Sequence, residues 1–245
     1  MCCFSGPVNA VGATRIFARL FADGRQALAY GADVDAPAEL AMVLPLPVAP
    51  GSGEAGVTFV DLSGYPGFFA GLAAGFGPLP GRGGVNPVPA SAPTPLRVHD
   101  VGDFVASYVP TIADFARLDQ RFRLPEGTWE RLPGYRDHGF AVFTLKPGLR
   151  SLQPMAFTFP SANPDKLFFP TVHIHDGAVH ERADFDHELY LQPGGGVIPG
   201  TGWDESRSDA QAFIAVDRAK GLVDGERHVY RATLRGSLPN RDTWA

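Results

Sequence analysis

The chain has 245 residues, 44% of them apolar, which is enough to fill a substantial core. Its formal net charge of −5 and lack of any Lys/Arg run exclude the basic stripe that nucleic-acid binding requires, so nucleic acid is not an expected partner. With 29 Gly and 23 Pro against 19% charged residues, the composition suits many short strands joined by turns better than a helical bundle.

In chain order, residues 14–21, 25–33 and 40–48 read as strands, the first two separated by the hairpin signal Ala22-Asp23-Gly24. Pro45 and Pro47 lack ladder donors, so the run AMVLPLPV should leave the sheet or lie on an edge there. Residues 57–62 read as another strand. From Pro66, the sequence PGFFAGLAAGF sets Phe68, Phe69, Leu72, Ala73 and Phe76 on one helical stripe, predicting a helix that packs inward. Residues 77–95 carry Gly or Pro at nearly every second position and read as an internal loop.

Residues 96–108 return to strand. Thr111 and Asp114 have capping-box-like spacing, and Ile112, Phe115, Leu118 and Phe122 line one helical face behind them. A second short helix should start at Pro125 and carry Trp129 and Leu132. Residues 139–146, 152–159, 167–175 and 178–191 supply four more strands, spaced for antiparallel pairing, and 211–216 and 227–234 the last two. The expected class is therefore α+β, mainly antiparallel β-sheet with two or three short helices, in a single globular domain over residues 1–245. The only cysteines, Cys2 and Cys3, are adjacent and cannot staple distant segments, which fits a reducing, cytoplasmic interior. The start lacks a basic segment followed by an apolar run, and the longest apolar stretch is too short and Gly-rich for a membrane span.

Three segments near the start, CCFSGPV from Cys2, TRIFAR from Thr14 and AELAMVLPLPV from Ala38, together resemble the opening of a bacterial domain-of-unknown-function family. Members of that family begin with a Cys-containing segment and continue into an LPLP or LPVP strand. The resemblance spans residues 2–48 and implies an ordered N-terminal segment without an assigned activity.

The chemistry-bearing stretch is FPTVHIHDGAVH, residues 169–180, with three of the seven histidines in eight positions. Asp176-Gly177 between two alternating runs predicts a two-residue type I′ turn, which sets His173 opposite His180 and points His173, His175 and His180 to one face. Three imidazoles converging at about 2.0–2.1 Å per bond would hold a transition metal, copper or zinc, with a coordination position left open for a small-molecule or peptide substrate. The competing reading is a solvated hairpin face. On this parity His187 joins only if a bulge intervenes, whereas Asp184 could accept from an imidazole N–H. Cys3 could supply a thiolate ligand, and Cys2, with Met1 removed, could act as the catalytic nucleophile of an N-terminal cysteine amide hydrolase. A buried structural thiol, and a non-catalytic ligand-binding or interaction domain, remain alternatives. His99 and His138 each sit beside an Asp that could orient the ring for acid–base work. The run GGGVIPGTG lacks dinucleotide-binding spacing, and no Walker A, GxSxG or CxxC motif is present.

Overall fold

The computed structural model describes residues 2–77, 99–101, 104–175, 178–194 and 199–245. In chain order its strands are β1 (Cys2–Phe4), β2 (Ala10–Leu20), β3 (Arg25–Ala36), β4 (Leu40–Leu46), β5 (Thr58–Asp61), β6 (His99–Val101), β7 (Phe104–Val109) and β8 (Gly139–Leu145). There follow β9 (Gly148–Ser151), β10 (Met155–Pro160), β11 (Phe168–Phe169), β12 (His173–Ile174), β13 (Arg182–Gln192), β14 (Asp204–Glu205), β15 (Tyr230–Pro239) and β16 (Thr243–Trp244). One sheet has the order β12-β1-β4-β8-β7-β6 and the other β14-β15-β13-β2-β3-β10-β5, with β9 on β3 and a separate pair β11-β16.

The two sheets face each other over a shared core. Phe4, Met42, Leu44 and Phe143 of the first pack with Ile16, Leu28, Tyr30, Phe157 and Leu189 of the second. Each outer face is covered as well. Phe17, Ala29 and Tyr190 pack under Phe68, Phe69 and Leu72, and Val43, Phe140 and Val142 pack under Phe115, Leu118 and Leu132. This explains why β4 reads as an unbroken apolar run, since it is buried at all seven positions. Pro45 is accommodated inside β4, where it stands opposite Phe140 of β8; among the described residues the pairing of β1 with β4 is at Met42 and Val43 and does not reach Pro45.

The expected α+β class is corrected to a predominantly β fold. Among the described residues there is one α-helix, α1 (Phe68–Ala74), and otherwise only short 3-10 turns. The two helices expected over 112–132, the second from Pro125, are instead the 3-10 turns Ile112–Arg117 and Gln120–Phe122 and a run of turns ahead of Pro133–Tyr135, and Thr111 Oγ1 donates to the Asp114 carboxylate at 2.8 Å rather than capping a backbone N–H. Phe115 and Leu118 still point inward, but the backbone turns extended at Leu118 and again at Arg123, which ends each turn before a continuous helix can form. The strand expected over 211–216 is also replaced, by the 3-10 turn Ala210–Ala212 and a turn-rich segment that packs Ile214, Ala219 and Leu222 against α1. Helix α1 sits close on β3 because Gly31 has no side chain: a Cβ there would come within 2.8 Å of the Phe69 ring.

Gln26 ties the eight-stranded sheet to the β11-β16 pair. It is fully buried, donates to Phe168 O at 2.7 Å and accepts from Phe168 N at 3.0 Å. Replacing it by Leu leaves both backbone groups unpaired in the core. Gln26→Leu should therefore lower stability by roughly 2–4 kcal/mol in urea denaturation; a change within about 0.5 kcal/mol would make this clamp dispensable.

Candidate functional site

Register decides which way the histidines point. β12 runs parallel to β1, with Cys2 opposite His173 and Cys3 opposite Ile174. Phe4 belongs to the core between the sheets, whereas Cys3 and Ile174 pack with Val43, Val172 and Tyr135 on the outer face. Alternation along β1 and β12 thus turns His173 and His175 inward and sends the Cys3 thiol to the opposite side. On β13 the residues Phe185, His187 and Leu189 are the inward set, since Leu189 belongs to the shared core and Tyr190 to the outer one.

The two sheets consequently bring His173 and His187 together. Their Nε2 atoms are 3.1 Å apart and their ring centroids 4.7 Å apart. The His175 ring lies 4.8 Å from that of His173 and 5.6 Å from Phe4. Phe185 closes the group, 4.6 Å from His173 and 5.1 Å from His187. His187 is almost completely buried; its Nδ1 has no hydrogen-bond partner among the described residues, and Asp186 Oδ1 stands 3.8 Å away. Asp186 is itself fixed by accepting from Ala13 N at 2.5 Å, at the bulge between Gly12 and Arg15.

The cluster that forms is thus His173, His175 and His187. The Asp176-Gly177 turn lies outside the described residues, but its flanks do not pair with each other: β12 pairs with β1, and β13 with β2 and β15. His180 is exposed, and its carbonyl and that of His173 both accept from Asn240 Nδ2, at 3.0 and 2.9 Å. Because 178–181 is outside any strand, the parity that excluded His187 does not carry through to β13. Cys3 is removed from the cluster by facing the outer core. Cys2 lies opposite His173 by backbone register, and its side chain, like that of His99, is outside the described residues. His138 packs edge-on to Tyr135, and burial lowers its pKa.

Burial, followed by the nearby imidazoles, holds His173 down to about 3 and His187 down to about 2, so both rings are neutral near pH 7. A neutral pair at this separation either shares one N–H···N hydrogen bond or, with both protons on Nδ1, turns two lone pairs toward one point. A second constellation looks catalytic at first sight: Ser206 Oγ is 3.3 Å from His228 Nδ1, and His228 Nε2 is 3.5 Å from Asp209. Yet Nδ1 is 2.9 Å from the Ser206 carbonyl, to which it can only donate, and the Ser206 hydroxyl donates to Ser208 O. This histidine therefore cannot take the serine's proton.

The depressed histidine pKa values bear on folding. An unfolded histidine titrates near 6.5, so below that pH the unfolded state binds more protons and stability falls as pH drops toward the folded value. The chain should lose on the order of 1 kcal/mol per pH unit for His187 between about pH 6 and pH 4. Melting curves of His187→Gln should show a flatter acid slope than wild type; equal slopes would place the acid lability elsewhere.

No family model matches the chain, and no curated protein matches it in sequence. Among solved structures the chain is similar to baculovirus P35, with 13% identity and a TM-score of 0.50 over 98% of each chain. The caspase-8/P35 complex matches with 13% identity and a TM-score of 0.49 over 95% of each chain. A mutated baculovirus P35 after caspase cleavage matches with 12% identity and a TM-score of 0.47, over 95% of this chain and 99% of that one. Among the described residues no helix is long and apolar enough to cross a membrane. The likeness to P35 is one of fold.

Proposed function

We propose that the chain binds a transition-metal ion, zinc or copper, between its two sheets, with His173 and His187 as ligands. The observation that carries this reading is the 3.1 Å approach of the two Nε2 atoms from different sheets. Two nitrogen ligands at about 2.0–2.1 Å from a tetrahedral ion stand roughly 3.3 Å apart, so little movement is needed to admit one. Metal coordination would also move the His187 proton to Nδ1, toward Asp186, the arrangement in which an outer carboxylate orients a metal-bound imidazole.

Among the described residues no group of three or more His, Cys, Asp or Glu side chains is arranged to hold an ion. The third donor in this reading is His175 after a turn of its ring, or a ligand from solution. A site with two fixed imidazoles keeps positions open. Zinc there would supply a bound water for hydrolysis and copper an oxidising centre. Calorimetric titration with zinc and with copper should give saturable heats for wild type and for His180→Ala, and none for His187→Ala. Identical heats for wild type and His187→Ala would end the reading.

A second reading, a protein-binding module, has separate support: the likeness in fold to baculovirus P35 runs through 98% of both chains. P35 is itself found in a complex with caspase-8. Size-exclusion chromatography of the chain with purified caspase-8 tests the transfer directly. Co-elution supports it, and separate elution at tens of micromolar removes caspase-8 as a partner.

A further inference from the structure

A cavity of about 540 Å³ lies at the β15 side of the sandwich, lined by Phe185, Leu234, Leu238, Pro239, Trp244 and the segment Arg241–Thr243 between the last two. Its size falls within the range of small-molecule sites. Register explains how it arises. β15 pairs with β13 so that Leu234 is opposite His187, Gly236 opposite Phe185 and Leu238 opposite Ala183, and opposed residues share a face. Leu234 and Leu238 therefore flank a position without a side chain. A Cβ on Gly236 would meet nothing within 4 Å, and its φ of +75° is one that disfavours a larger residue. The result is a gap over the Phe185 ring.

The facing wall is the C-terminal strap, and its polar groups are committed elsewhere. Asn240 holds the backbone of His173, and Asp242 accepts from Thr171 N, Val172 N and the Tyr135 hydroxyl. Trp244 pairs in register with Phe168 and keeps 39% of its surface exposed. Arg241 differs. Its backbone is bonded, its carbonyl accepting from Thr171 Oγ1, but its guanidinium has no hydrogen-bond or ion-pair partner among the described residues. An apolar chamber thus carries one uncommitted cation at its rim.

We propose that this cavity binds a small amphiphilic organic anion, an alkyl or aryl carboxylate, with its apolar body between Leu234, Leu238 and Phe185 and its carboxylate paired with Arg241. The apolar lining selects the body of the ligand and the planar guanidinium, which forks onto carboxylates, selects its head.

Decanoate and uncharged decanol are suitable probes, titrated calorimetrically into the full chain and two variants whose folding is checked by melting temperature. Decanoate should bind saturably, one per chain. Arg241→Gln, at an exposed position, should weaken decanoate about tenfold and leave decanol unchanged, while Leu238→Trp should fill the chamber and abolish both. Absence of saturable decanoate binding at millimolar concentration overturns the proposal. So does equal weakening of decanoate and decanol by Arg241→Gln, and so does unchanged affinity in a folded Leu238→Trp. Should Leu238→Trp fail to fold, the Arg241→Gln comparison decides alone.

Discussion

Everything in this molecule is arranged around the need to cover two sheets on both of their faces. A strand such as β4, apolar on each side, gains from the hydrophobic effect only if both sides lose water, at roughly 1.5–3 kcal/mol for each large side chain fully buried. Three layers of packing follow from that requirement: the core between the sheets, the cover of α1 with the turns after residue 209, and the cover of 3-10 turns around Phe115 and Leu132. Only the middle layer is closed by β-structure on both sides, and it is there that polar residues from two sheets can be forced into contact.

His173 and His187 are the product of that geometry. His187 is carried by a strand whose neighbouring inward positions, Phe185 and Leu189, are apolar, His173 has Phe185 and His175 beside it, and neither finds a carboxylate within hydrogen-bonding distance, so both remain uncharged and turn to each other. A polar pair in such a place has a stake in its own geometry, since a lone buried imidazole would cost about 1–3 kcal/mol. That cost explains why the contact is close. It does not by itself assign a use, which is why the metal and interaction readings rest on separate observations.

Much of this was legible in the sequence because alternation and turn chemistry are local. The strands near residues 14–33, 40–48 and 139–146 and the helix at Phe68–Ala74 lie within a few positions of where the pattern put them. The proximity of the N-terminal segment to residue 173 is a pairing between β1 and β12. What was not legible is long-range register. The His187 side chain could not be assigned to the cluster, because its face depends on β13 lying parallel to β2 rather than folding back on the histidine stretch. Likewise, the spacing of Ile112, Phe115, Leu118 and Phe122 records that this segment covers a sheet, and 3-10 turns achieve the same covering without a continuous helix.

The side chain of Asn240 sits on the backbone of His173 as another strand would, its oxygen taking the N–H and its nitrogen giving to the C=O. β12 is the last strand of its sheet, and an open edge there would be a template for a second copy of the chain. One amide occupies that template at the cost of a single side chain. It thereby adds to the protection that a strand of only two residues already gives against edge-to-edge aggregation.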